Sequence, residues 1–115
     1  MASTFSKVVF SGGTSGADIL VVATSTAGTL IHTAHATALA EVWLWAQNNT
    51  TADVVLTIEF GGVSSPKDLV IQTIPTKSGL MSVIPGICLT GSLVVRAFAG
   101  TTNVISIAGF VNRIT

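Results

Sequence analysis

The sequence predicts an all-β protein, an antiparallel β-sandwich of about 8–10 short strands. Two observations lead to this prediction. Short apolar runs rich in Val, Ile and Thr recur along the chain, and clusters of Gly, Pro, Ser and Asn separate them at intervals of roughly 8–12 residues. In several of these runs apolar and polar positions alternate, as expected for strands that place one face in a core.

Four strands are expected in the first part of the chain. Residues 5–10 end at the glycine-rich segment 11–16, which lacks the Gly-Lys-Ser/Thr ending of a phosphate loop and is interpreted as a flexible loop. Residues 19–26 and 29–37 are rich in β-branched side chains, which favour extended backbone. Residues 39–47 form the fourth expected strand.

The remaining expected strands lie between further turn signals, which include the Pro85-Gly86 pair. These strands are residues 54–60, 69–74, 80–84, 87–90, 93–99 and 104–111. Because no linker or change of composition interrupts the series, residues 1–115 are interpreted as a single β-sandwich domain. Residues 1–7 are polar and are interpreted as an N-terminal arm that could extend onto a neighbour.

The composition indicates a subunit of an assembly. Of 115 residues, 49% are hydrophobic and 9% are charged, with five Lys plus Arg against five Asp plus Glu. A chain of this length buries only about 65% of the surface of its unfolded form, so a mean hydropathy of +0.74 predicts apolar surface outside the core of a monomer. The zero net charge disfavours nucleic acid as a partner, and the hydrophobicity excludes a disordered chain.

Neither a membrane span nor a secretory signal is expected. The long uncharged stretches, residues 19–40 and 78–95, are interrupted by polar residues, Gly and Pro, so neither predicts a membrane helix. The N-terminus lacks a charged region followed by an apolar one, which favours synthesis in a cytosol. The single cysteine, Cys88, cannot form an internal disulfide and is expected to be a small core residue.

The strand expected over residues 39–47 contains the first candidate site. The composition of residues 34–46 would also tolerate a helix, but the bulky residues around Trp43 and Trp45 favour a strand. The even positions of this strand are aliphatic and should point inward, which leaves both tryptophans on the other face beside Glu41. Such an aromatic surface suits a subunit interface, a second core layer under a loop, or a platform for sugar stacking.

The second candidate site lies on the penultimate expected strand, where Arg96 and Phe98 share one face. The opposite face of this strand is wholly apolar and suffices for a core. Since an unpaired charge is costly in apolar surroundings, Arg96 and Arg113 are expected to have carboxylate or carbonyl partners. The favoured carboxylates are Glu41 and Glu59, which also lie among apolar strand residues.

No catalytic or metal site is expected. His32 and His35 have a spacing that would suit a metal on a helix, but on a strand they project to opposite faces, and no cysteine or carboxylate accompanies them. A local nucleophile signature such as Gly-x-Ser-x-Gly is absent. The sequence therefore predicts a non-enzymatic protein without cofactor or metal.

Three parts of the sequence resemble a known group of proteins. They are Glu41-Val42-Trp43-Leu44-Trp45-Ala46 and the residues to Asn48; Asp53-Val54-Val55-Leu56-Thr57-Ile58-Glu59-Phe60-Gly61-Gly62; and Val94-Val95-Arg96-Ala97-Phe98 with Gly109-Phe110-Val111-Asn112-Arg113-Ile114. Over residues 30–114 the chain resembles small all-β structural proteins of tailed bacteriophages and prophages, in the manner of capsid decoration (cement) proteins. The resemblance implies a jelly-roll-like β-sandwich that assembles as trimers on the outer capsid lattice and clamps neighbouring major capsid subunits.

From the residues and the resemblance together we expect a homo-oligomer, a trimer, bound to the major capsid protein on the capsid surface of a virion. Neither nucleic acid nor a membrane is an expected partner. The expected contact residues are Trp43, Trp45, Arg96 and Phe98. The alternative is a tail or fibre module that recognises a glycan or receptor through the two tryptophans.

Overall fold

The computed structural model describes residues 4–24 and 27–115, which form two antiparallel β-sheets packed against each other. The strands are β1 (Phe5–Val8), β2 (Ile19–Leu20), β3 (Thr29–Thr33), β4 (Leu39–Asn48), β5 (Val54–Phe60), β6 (Leu69–Ile74), β7 (Met81–Leu89), β8 (Val94–Ala99) and β9 (Ile105–Ile114). The described residues form no helix, and this part of the chain therefore contains no helical membrane span. The prediction of an all-β sandwich is confirmed.

The strand pairing is that of a long hairpin wound up on itself. Sheet A has the order β1-β9-β4-β7 with β2 also paired to β9, and sheet B has the order β3-β8-β5-β6. Thus β2 pairs with β9, β3 with β8, β4 with β7 and β5 with β6, all antiparallel. Because successive pairs alternate between the two sheets, the topology is that of a jelly roll.

The core lies between the sheets and is built from the inward positions of the long strands. In β4 the inward residues Ala40, Val42, Leu44 and Ala46 are buried, and the alternate positions lie on the outer face. In β8 the buried residues are likewise Val95, Ala97 and Ala99. The predicted alternation is confirmed in both strands, and it specifies the register because a shift of one residue would turn each apolar face to solvent.

The Pro85-Gly86 pair lies inside β7, whereas the sequence predicts a turn there between two strands. The register between β7 and β4 shifts at two places, so β7 accommodates its additional residues as β-bulges. Because β7 is the edge of sheet A, the missing N–H of proline need not face a neighbouring strand. The prediction of two strands here is wrong for this reason.

Two other predicted strands are shorter in the structure by four residues or more. The strand expected over residues 19–26 is reduced to β2, and residues 25–26 lie outside the described residues. The strand expected over residues 29–37 ends at Thr33. Beyond it, the imidazole Nδ1 of His35 accepts hydrogen bonds from the backbone N–H groups of Thr37 (3.1 Å) and Ala38 (3.0 Å), which stabilises a turn in place of further strand.

The segment interpreted as an N-terminal arm, residues 1–7, is partly described. Residues 1–3 lie outside the described residues, and Phe5–Val8 form β1, which pairs with β9 at the edge of sheet A. Thr4 and Thr115 exchange backbone hydrogen bonds of 3.2 and 3.0 Å. Most of the described part of this segment therefore extends sheet A.

Cys88 is exposed, and the prediction that it is a core residue is wrong. It lies on the edge strand β7 and pairs with Glu41, an outward position of β4. Residues that face each other in neighbouring strands share a face of the sheet, so Cys88 belongs to the outer surface of sheet A.

Candidate functional site

Three aromatic side chains form a cluster on the outer face of sheet A. Trp43 and Trp45 lie on β4, and Phe110 faces Trp43 from β9. The ring centroids of Trp43 and Trp45 are 6.4 Å apart with an interplanar angle of 19°, and Phe110 lies 6.4 and 6.1 Å from them. We call these three residues the aromatic cluster. All three are half-buried in the single chain, so part of each ring remains available for contact.

Gly86 of β7 lies against Trp43. A Cβ atom at Gly86 would lie 2.6 Å from Cζ2 of the indole, and the backbone of Gly86 has a φ of +79°. Only glycine tolerates both conditions without strain. The bulge in β7 thus allows the indole ring to pack directly on the backbone of the neighbouring strand.

A polar row crosses sheet A next to the aromatic cluster. Glu41 accepts hydrogen bonds from Trp43 Nε1 (2.7 Å) and Asn112 Nδ2 (3.1 Å), and these two bonds lower the pKa of its carboxyl group. Lys7 pairs with Asn112 across β1 and β9, and its Nζ lies 4.9 Å from the ring centroid of Phe110. The aromatic cluster is therefore bordered by one carboxylate and one ammonium group.

An apolar row lies on the other side of these polar residues. Phe5 of β1 pairs with Ile114 of β9, which also pairs with Leu39 of β4. Phe5 is 69% exposed and Leu39 is 43% exposed. Since these positions share the outer face with the aromatic cluster, one surface of the sandwich holds two apolar patches separated by a narrow polar row.

Arg96 and Phe98 do not join the aromatic cluster. They lie on β8, on the outer face of sheet B, which is the opposite surface of the sandwich. Arg96 Nη1 donates a 3.3 Å hydrogen bond to the carbonyl oxygen of Gly28, which confirms for Arg96 the expectation of a carboxylate or carbonyl partner. The four predicted contact residues therefore lie on two surfaces that no single flat partner can cover.

Glu59 is buried on β5, with 1% of its surface exposed. Its Oε1 accepts a 2.7 Å hydrogen bond from the backbone N–H of Gly28. Although the register places Glu59 opposite Arg96, the only ion pair within 4.0 Å in residues 4–24 and 27–115 joins Lys67 and Asp68. The prediction that Glu41 and Glu59 pair with arginines is wrong: neutral N–H donors bond to Oε1 of each carboxylate, and Oε2 of Glu59 is buried without a hydrogen-bond partner among the described residues.

His32 and His35 each serve as a hydrogen-bond acceptor. His32 is buried on β3, and its Nδ1 accepts a 3.1 Å hydrogen bond from the backbone N–H of Ser11. Burial, and to a lesser degree the nearby charge of Arg113, lower the pKa of His32. Within the described part of the chain, no group of three or more His, Cys, Asp and Glu side chains is arranged to hold a metal ion.

Five residues of this surface are not among the individual contact residues predicted from the sequence, namely Phe5, Lys7, Gly86, Phe110 and Asn112. For two of them the sequence contains a usable pattern: Phe110 and Asn112 lie at alternate positions of one strand and so share a face. Their placement beside β4 depends on the pairing of β9 with β4, which joins residues far apart in sequence. No periodicity within one strand indicates which strand lies next to it.

No protein-family model matches the chain, and neither a curated protein nor a solved structure matches it. The bacteriophage resemblance therefore stays a prediction.

Proposed function

We propose that this protein is a non-enzymatic structural protein of a bacteriophage virion. In this proposal it is a capsid decoration protein that assembles as a trimer on the capsid surface and clamps subunits of the major capsid protein. The observation that carries the proposal is the aromatic cluster, half-buried on the outer face of sheet A and accompanied on that face by the apolar row of Phe5, Ile114 and Leu39. Exposed apolar surface of this kind indicates contact with another protein.

The fold and the charge support the same proposal. Jelly rolls occur among viral capsid proteins, where two packed sheets give a compact subunit with broad flat surfaces. The chain has no net charge, so copies can approach without strong mutual repulsion. Closed symmetry is the usual outcome for such homo-oligomers, and a trimer is the form that the bacteriophage resemblance implies.

The four predicted contact residues then take part in two separate contacts. Trp43 and Trp45 contact neighbouring copies of the protein through sheet A. Arg96 and Phe98, on the outer face of sheet B, contact the major capsid protein. Because the two faces point away from each other, one protomer can hold its copies and the capsid at the same time.

The substitution Trp43→Ala tests the contact between copies. It removes the central indole of the aromatic cluster, and we expect light scattering at micromolar protein concentration to show a trimer for the wild type and its loss in the variant. Val55→Ala is the control, because Val55 is an exposed apolar residue on the outer face of sheet B and its truncation should leave the trimer intact. Circular dichroism checks that both variants are folded.

Two results would contradict the proposal. One is a wild-type protein that stays monodisperse and monomeric at all concentrations. The other is a trimer that Trp43→Ala leaves unchanged. Mass spectrometry of purified particles tests the location directly, since a decoration protein must be present in intact capsids.

A second candidate function is glycan binding by the same surface. It is favoured by the Glu41 carboxylate and the Asn112 amide, which border the indole of Trp43 with groups able to hydrogen-bond hydroxyls. A glycan array with the isolated protein separates the two candidates. Strong sugar binding that Trp43→Ala abolishes would replace the decoration proposal, whereas no binding at high protein concentration would remove the glycan candidate.

A further inference from the structure

Three polar side chains lie in one row across three neighbouring strands of sheet A. Lys7 of β1 pairs with Asn112 of β9, and Asn112 pairs on its other side with Glu41 of β4. Residues that are paired across strands project on the same face, so all three side chains lie on the outer face of sheet A. An amine can act as a nucleophile, a carboxamide has an electrophilic carbon, and a carboxylate can transfer protons.

The backbone pairing brings Lys7 and Asn112 close together. Thr4 and Thr115 exchange both of their backbone hydrogen bonds, 3.2 and 3.0 Å long. Because hydrogen-bonded and non-hydrogen-bonded positions alternate in an antiparallel pair, Lys7 and Asn112 form a non-hydrogen-bonded pair. The Cα atoms of such a pair are only about 4.5 Å apart, and their side chains are closer than in a hydrogen-bonded pair. The flexible four-carbon stem of lysine is therefore long enough to bring Nζ to the carboxamide carbon of Asn112.

The carboxylate of Glu41 contacts the nitrogen of the same carboxamide. Its Oε1 accepts a 3.1 Å hydrogen bond from Nδ2 of Asn112, and a 2.7 Å hydrogen bond from Trp43 Nε1 fixes the orientation of the carboxylate. These two bonds lower the pKa of the carboxyl group, so Glu41 is ionised at neutral pH and can accept a proton.

The Lys7 amine lies over the sheet. Its Nζ is 4.9 Å from the ring centroid of Phe110, which lies two residues before Asn112 on the same face of β9. This contact keeps the amine next to the carboxamide. Holding two reacting groups together in this way replaces a bimolecular encounter and favours their reaction.

We propose that Lys7 and Asn112 form an isopeptide bond within the folded chain, with Glu41 as the catalytic residue that transfers the proton. Glu41 takes a proton from the Lys7 ammonium group, and the neutral Nζ attacks Cγ of Asn112. The Nζ–Cγ bond forms and the Cγ–Nδ2 bond breaks as Glu41 returns its proton to Nδ2, which leaves as ammonia. The ammonia takes up the second proton that Nζ loses, so an ammonium ion is released and no group is oxidised or reduced.

The bond would join the first and the last strand of sheet A. It closes nearly the whole chain into a covalent loop, which restricts the unfolded chain as a disulfide of the same span would. The step occurs once in each chain, so it is a self-modification without turnover. It uses residues of one chain only and does not rest on the proposed trimer.

Intact-mass spectrometry tests the proposal. Folded wild-type protein kept for several days in neutral buffer should lose about 17 Da, the mass of ammonia. Lys7→Arg keeps the positive charge over Phe110 but has no amine, so it should keep its full mass. Lys67→Ala is the matched control, because Lys67 lies on the turn before β6 and its removal should leave the loss unchanged. Glu41→Gln keeps a hydrogen-bond acceptor but cannot carry the proton, and it should slow the loss at least about tenfold.

Tryptic digestion locates the bond. Trypsin does not cleave after an acylated lysine, so the peptide that contains Lys7 should be joined to peptide 97–113, which contains Asn112. Wild type kept unfolded in guanidinium chloride should retain its full mass, because the row of side chains exists only in the folded chain. A folded wild type without the loss would overturn the proposal. So would a loss that Lys7→Arg retains, since it reports a cyclic imide at an asparagine, and equal rates in Glu41→Gln and the wild type would overturn the role of Glu41.

Discussion

At the scale of single residues, His32 shows how a buried polar group depends on its neighbours. Its Nδ1 accepts the Ser11 N–H, so in the neutral ring the proton resides on Nε2, which is buried and has no hydrogen-bond partner among the described residues. The ring also lies 6.0 Å from the ring of Phe10. A second proton would go to Nδ1 and remove the acceptor that holds Ser11 against β3.

The lowered pKa of His32 predicts how stability depends on pH. Since the folded-state pKa lies below the ordinary value of 6.5, the unfolded chain binds more protons between those two values. The stabilisation is therefore complete above pH 6.5 and is lost as the pH falls through the folded-state pKa. The free energy of unfolding, measured with urea over roughly pH 7.5 to pH 5, should show this decline, because an ordinary imidazole titrates in that range.

His32→Asn is the variant that isolates this effect. The Asn side chain keeps a neutral acceptor near the position of Nδ1 and cannot take up a proton, so the decline below pH 6.5 should become shallower. An equal decline in the variant and the wild type would show that other groups cause it. Glu41, whose pKa is also lowered, acts at lower pH, because its contribution is present above its ordinary value of 4.5 and is lost below that value.

At the scale of elements, β7 shows the limit of local sequence patterns. Pro85 and Gly86 are strong turn signals in sequence, yet they lie within an edge strand as part of a bulge. By contrast, the strands β5 and β6 have the bounds that their residues predict, because both are regular and pair with each other without interruption. A turn signal thus need not end a strand that lies at the edge of a sheet.

The bulge in β7 predicts that Gly86→Ala destabilises the protein more than Gly91→Ala does. Both glycines have positive φ, +79° and +67°, so each substitution costs roughly 1–2 kcal/mol in backbone strain. At Gly86 the new Cβ also collides with the Trp43 indole, whereas nothing lies within 4 Å of a Cβ at Gly91. Urea unfolding followed by tryptophan fluorescence measures the difference, and equal losses in the two variants would contradict this account of the packing.

At the scale of the whole molecule, the wound hairpin makes nearly all strand pairing long-range. The pairing of β2 with β9 brings Ile19 next to Ile107, and the pairing of β1 with β9 brings the ends of the described chain together. Such contacts form only after long loops have closed, and the cost in chain entropy precedes the gain from packing.

This topology predicts slow folding. We expect refolding of the isolated chain in milliseconds to seconds, the range of sandwiches dominated by non-local pairs, rather than microseconds. Stopped-flow fluorescence of the two β4 tryptophans measures the rate. The measurement needs a series of protein concentrations, because a rate that rises with concentration reports assembly instead of folding; a concentration-independent microsecond phase that completes folding would contradict the prediction.

Some residues of the candidate surface are placed by the alternation within one strand, and others only by pairing between strands that are distant in sequence. The alternation within β4 suffices to place Trp43 and Trp45 together on an outward face, and the alternation within β8 does the same for Arg96 and Phe98. That Phe110 completes the aromatic cluster, and that Arg96 lies on the opposite surface, follow from the assignment of strands to sheets. At Glu41 and Glu59 the carboxylates accept hydrogen bonds from N–H groups of Asn112 and Gly28, which are distant in sequence and which folding brings near, instead of pairing with arginines.

The amino-acid pattern alone therefore determines that this chain forms two sheets of strands and which face of each long strand is buried. Side chains alternate between the two faces of a strand, and burying the apolar face lowers the free energy because it removes apolar surface from water. The tertiary structure decides which strands become neighbours, where a bulge can form and which sheet edge stays open. These features depend on pairings between residues distant in sequence, and the free energy of each pairing exists only when the rest of the fold holds both strands in place.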